Sequence, residues 1–135
     1  MQRDQSIFVE LKSIIPHITD DDCILVCDMI VEEKKNQCLL KILMDNVMSF
    51  SRVKLFKKYA PDMSEVDQAT YTNHVIEKLR MHLSYAKLKS YDYIVDDIKG
   101  MYTCCEVSKK LILDFVVEIE YNYGNRPALM RLLRS

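Results

Sequence analysis

The chain has 135 residues, enough for one domain over 1–135 that buries about two-thirds of the surface its unfolded form exposes. Its 49% hydrophobic and 29% charged residues exclude a disordered or membrane-embedded protein, and only 2 Gly and 3 Pro argue for long helices rather than turn-rich strands. A net charge of −1 gives no global field that would draw nucleic acid or anionic lipid.

The first residues contain an apolar segment, "QSIFVELKSII" over 5–15, closed by Pro16. They lack a long apolar core and a small-residue cleavage site, so secretion is not expected, and no run approaches the ~18 apolar residues of a membrane span. Thr19 to Asp22, "TDDD", supplies a cap and acidic first-turn residues for a second helix with Ile24, Val26 or Cys27, Ile30 and Val31 on its apolar face. That helix fades through "EEKKNQ". A third begins near Cys38 and carries Leu39, Leu40, Leu43, Val47, Phe50, Val53 or Lys54, and Phe56 at helical spacing until Pro61 ends it.

Ser64 is the expected cap of a fourth helix reaching Leu83, with Tyr71, Val75, Ile76 and Leu79 on one stripe. The chain is expected to restart at Ser84, run to about Val95 and break at "DDIKG". A further helix spans Met101 to Tyr121, burying Val107, Leu111, Phe115, Val116 and Ile119. Gly124 then offers a left-handed cap before the short helix "RPALMRLL", with Pro127 in its first turn. The class is all-α, roughly six to eight helices around one core with at least one helix largely buried. Arg131 and Arg134 interrupt the last apolar stretch, so no tail anchor or stable membrane insertion is expected.

No arrangement supports catalysis. His82 and Ser84 point to different faces of a helix, Asp96–Asp97 and Asp20–Asp22 read as solvated caps and turn residues, and no Gly-rich phosphate loop occurs. Cys23 and Cys27 share a helix face but no second pair completes a zinc set. With Cys38, Cys104 and Cys105 they read as structural, reduced, metal-free thiols, and no metal or cofactor is expected. The basic run "RVKLFKK", Arg52 to Lys58, reads as a solvated face, the alternative being a rim that steers an acidic amphipathic partner. Near-zero net charge and the lack of a basic recognition helix argue against DNA reading.

From Cys38 onward the order of features resembles the Bcl-2 (B-cell lymphoma 2) family of apoptosis regulators. "SYAKLKSY", Ser84 to Tyr91, is similar to that family's first homology motif, with Ser84 at the cap, Tyr85 at the aromatic, Ala86 at the small residue and Lys87 at the cation. "HVIEKLRMHL" matches the apolar helix before it. "LKILMDNV" resembles the third homology motif through Leu40, Asp45 and Val47, and "EYNYGNRPALMRLL" resembles the second, a Gly turn opening a short amphipathic helix. The chain departs from the family at Lys87 for Arg, Ala86 for Gly, Met44 for a small residue and Asn125 for Trp. Compactness and divergence resemble the Bcl-2 mimics of large DNA viruses, poxviruses and iridoviruses such as that of grouper.

The resemblance implies a Bcl-2-like bundle around a buried central helix, with a groove that receives the amphipathic homology-3 helix of Bim, Bak or Bax. Val47, Phe50, Ser51, Leu55, Val75, Leu79, Tyr85, Lys87, Leu88 and Ser90 are the expected groove positions. Lys87 would pair with the partner's Asp, while Tyr85 packs at the helix start. The implied role is a viral inhibitor of apoptosis in the host cytoplasm, peripheral at mitochondria through its partners. A symmetric homodimer is a further expectation. Two other readings stand beside it: a Bcl-2-fold scaffold that blocks innate immune (NF-kappa-B-type) signalling through an outer face, and a death-fold adaptor.

Overall fold

The computed structural model describes residues 20–45, 52–85 and 91–135. Within them every regular element is helical: α1 Asp20–Glu32, α2 Leu39–Asp45, α3 Arg52–Tyr59, α4 Glu65–Tyr85, α5 Tyr91–Tyr102, α6 Glu106–Tyr123 and α7 Pro127–Arg134. Short 3-10 turns at Asn36–Cys38 and Ala60–Asp62 precede α2 and follow α3. The all-α class read from the sequence is therefore observed. The chain folds into two compact units, Met1–Asp67 and Gln68–Ser135, and their boundary falls inside α4.

In the first unit α1 packs on α2, and α2 on α3. Cys23, Cys27 and Ile30 recur at helical spacing on α1, Leu39, Ile42 and Leu43 on α2, and Leu55, Phe56 and Tyr59 on α3, and all are buried. Helix α1 ends in a Schellman motif. Lys34 adopts a left-handed conformation, φ 58°, so that its amide donates to the Val31 carbonyl at 3.0 Å while the Lys35 amide reaches the Ile30 carbonyl at 2.9 Å. Pro61 stops the run after α3 as expected, and the Ser64 hydroxyl accepts from the Asp67 amide at 3.2 Å to cap α4. The expected continuity of one helix from Cys38 to Phe56 crosses 46–51, outside the described residues.

The second unit is an up-down-up-down set of four helices, legible from pairs of side-chain contacts. His82 to Tyr93 runs α4 against α5; Thr72 to Ser108 and Arg80 to Glu118 rise together, so α4 and α6 are parallel. Arg126 to Tyr91 and Lys99 to Ser135 likewise make α5 and α7 parallel. The core consists of Tyr71, Val75, Ile76, Leu79 and Leu83 from α4, Tyr91, Ile94, Val95, Ile98 and Met101 from α5, Ile112, Phe115 and Ile119 from α6, and Leu129 and Met130 from α7. Full burial of each large apolar side chain contributes roughly 1.5–3 kcal/mol before chain entropy is subtracted.

Three sequence expectations are corrected here. "DDIKG" does not break a helix but lies within α5, because the stripe Ile94, Ile98, Met101 continues through it and outweighs the cost of about 1 kcal/mol for an interior Gly. The break comes instead at Thr103–Cys105, so α6 begins at Glu106 and not at Met101. Gly124 is right-handed, φ −60°, and is not a left-handed cap. It answers a need for space: a Cβ there would stand 2.5 Å from the Glu120 carbonyl oxygen. Helix α5 buries one face only, since Asp92, Tyr93, Asp96 and Lys99 are exposed.

Candidate functional site

The ends of four helices converge on one side chain in the second unit, Arg126. Its backbone is extended and forms the N-cap of α7, with Pro127 pre-set for the first turn. Its guanidinium donates to the Leu83 carbonyl at 3.3 Å, near the end of α4, and to the Tyr91 hydroxyl at 3.0 Å, at the start of α5. It also lies 4.6 Å from the centre of the Tyr123 ring, in the last turn of α6. A guanidinium suits this position because its planar fork donates in several directions at once. Leu83 and Tyr91 flank residues 84–90, so Arg126, from the segment resembling the second homology motif, ties together the two sides of the segment resembling the first.

Of the expected groove positions, Leu55, Val75 and Leu79 are described and are core residues, no more than 4% exposed. Tyr85 is also described, and it does not pack at a helix start: it closes α4 and is 81% exposed. Ser84 is not an N-cap either, since its hydroxyl donates to the Met81 carbonyl at 2.6 Å and satisfies an acceptor in the last turn of α4. Val47, Phe50, Ser51, Lys87, Leu88 and Ser90 lie outside the described residues. Of the positions resembling the third homology motif, Leu40 is half-buried on α2.

Beside Arg126, an open concavity of about 680 Å³ runs along α7 from Gly124 to Ser135. Pro127 and Met130 give it apolar surface, and Arg131 and Arg134 line it with positive charge.

The titratable groups elsewhere do structural work. Tyr59 donates to the Asp28 carboxylate at 2.6 Å and approaches the Ile24 carbonyl at 3.1 Å, and its burial followed by the Asp28 bond pushes the phenol pKa well above its usual value. Hydrogen bonding with Cys23, then burial, raises the Cys27 thiol far out of the reactive range. All five cysteines are free thiols. Cys105 is half-buried before α6, with its sulfur 3.2 Å from the Ser108 hydroxyl. Lys54, Lys57 and Lys58 of the basic run are exposed, and Lys58 lies 5.6 Å from the centre of the Tyr59 ring.

Elsewhere in the second unit, Arg80 forks onto Glu118 with bonds of 2.7 and 2.8 Å, and also pairs with Glu77. The Glu118 bond raises the Arg80 pKa, and the same bond lowers that of Glu118. Among the described residues no group of three His, Cys, Asp or Glu side chains is arranged to hold a metal ion, and no helix is long and apolar enough to cross a membrane. Sequence reasoning missed Arg126 and Arg80: both are ordinary surface-type residues, and the partners that tie them to other helices, Glu118, Leu83 and Tyr91, lie 35 to 43 positions away. No family model, curated protein or solved structure matches the chain.

Proposed function

We propose that the chain is a non-enzymatic interaction domain that captures an amphipathic helix of a partner, as its resemblance to the Bcl-2 family implies. The partner would be the homology-3 helix of a Bim-, Bak- or Bax-like protein, and the outcome inhibition of apoptosis by a viral protein in the host cytoplasm. The observation that carries this reading is the Arg126 clamp, which joins the segments resembling the first and second homology motifs. The order of elements adds support: α4, with its buried apolar stripe, runs into the first segment and ends at Tyr85, α5 opens at Tyr91 where that segment ends, and short amphipathic α7 follows the Gly124 turn. Lys87 would supply the cation for the partner's Asp.

Titration of homology-3 peptides against the purified chain and its Lys87→Glu variant tests the proposal. Binding by the parent and a loss of about 2 kcal/mol or more in the variant are expected, from an unpaired or repelling charge. Unchanged affinity in a folded variant removes the Lys87 role, and failure of every peptide removes the groove. That second result would favour a scaffold acting through an outer face, a reading helped by the burial of Leu55, Val75 and Leu79. Seven α-helices among the described residues count against the death-fold adaptor.

A further inference from the structure

Helix α6 buries Ser108, Ile112, Phe115 and Ile119 and turns Leu113, Val117 and Tyr121 the other way. These three stand one turn apart and are 48%, 65% and 89% exposed, so a continuous apolar stripe faces water along more than two turns. One long border carries exposed Glu106 and Asp114 and the other carries Val116 and exposed Glu120, so carboxylates outnumber the one exposed cation on its flanks. Lys110 is exposed at its N-terminal end, and beyond Asp114 the Glu118 carboxylate is already held by Arg80.

We propose that this outer face of α6 is a docking surface for a basic amphipathic helix of a partner protein, one with an apolar stripe bordered on both sides by Lys or Arg. The stripe supplies the apolar contact, and Asp114 and Glu120 fix orientation by pairing with the two basic borders. A second copy of this chain fits worse. Antiparallel pairing centred on Val117 sets Leu113 against Tyr121 of the copy, but it also sets each flank against the same flank of the copy, Asp114 towards Asp114 and Glu120 towards Glu120, where like charges repel. The excess of carboxylates on the flanks equally disfavours nucleic acid and anionic lipid. The inference does not depend on the groove reading, because no residue of this face belongs to the expected groove.

The test is fluorescence anisotropy of a labelled helical peptide about five turns long, with leucines on one stripe and lysines along both borders. A matched peptide carrying glutamates in place of the lysines is the control. The full chain is expected to bind the basic peptide and not the acidic one, with affinity falling as salt rises. The double variant Asp114→Lys/Glu120→Lys is expected to bind about tenfold more weakly, as loss and reversal of two exposed pairs predicts. Val117→Lys is expected to abolish binding, and Tyr121→Lys repeats the measurement at a more exposed position should Val117→Lys unfold by circular dichroism. Equal binding of both peptides, an unaffected double variant or no binding of the basic peptide would overturn the proposal. So would sedimentation showing a dimer that Tyr121→Lys dissociates. Parent-like binding of homology-3 peptides by Tyr121→Lys separates this face from the groove.

Discussion

Replacing Thr72 by Val keeps the shape of the side chain and removes one buried oxygen, at a point where the direction of every proton in a chain of hydrogen bonds is set. Thr72 Oγ1 donates to the Gln68 carbonyl at 2.8 Å, and that uses its single proton. The 2.7 Å contact between Thr72 and Ser108 must then be donated by Ser108, leaving Ser108 to accept from Cys105 at 3.2 Å. Thr72 and Ser108 are both fully buried, so water cannot replace a lost partner.

Thr72→Val therefore leaves the Ser108 proton without its acceptor, which costs about 2 kcal/mol. Ser108→Ala removes a donor and leaves Thr72 still bonded to Gln68, so its cost is about 1 kcal/mol. The double variant has no orphaned donor, and its cost should stay near 2 kcal/mol rather than reach the sum of about 3. Urea denaturation followed by circular dichroism measures all three variants, with unchanged slopes confirming that midpoints report stability. Additive costs, or a Ser108→Ala cost exceeding that of Thr72→Val, would refute the assigned direction of the chain.

The Arg80–Glu118 fork is more than one-third exposed at each side chain, so solvent screening holds its contribution to about 1 kcal/mol. Because the folded carboxyl titrates below its unfolded value, this stabilisation is present above the unfolded carboxylate range and is lost as pH falls through the lowered folded pKa. Glu118→Gln should thus destabilise at pH 7 and converge on the parent in acid, checked by denaturation at several pH values. Lys34→Gly should stabilise the first unit by about 0.5 kcal/mol, since relief of a left-handed non-Gly residue exceeds the added chain entropy, and thermal melts would show it. Gly124→Ala should destabilise by about 1–2 kcal/mol through the clash with the Glu120 carbonyl, despite its helical φ, and urea midpoints would show the loss.

What the sequence by itself determined was local. Tyr71, Val75, Leu79 and Leu83 repeat at the period of a helix, Ser64 and Pro61 punctuate as their chemistry requires, and the scarcity of Gly and Pro admits few alternatives to an all-α chain. Local signals misled where a neighbourly cue competed with packing: "DDIKG" looks like a break, yet burial of Ile94, Ile98 and Met101 carries the helix through it. Ser84 looks like a cap, yet its hydroxyl serves the preceding turn. Only the tertiary structure decided that Leu55, Val75 and Leu79 are core and that Leu113, Val117 and Tyr121 face water, because a periodic apolar stripe does not state whether anything covers it. It also decided the roles of Arg126, Arg80 and Ser108. Each bonds to a residue 35 or more positions distant, and those separations become contacts only once the helices stand beside one another.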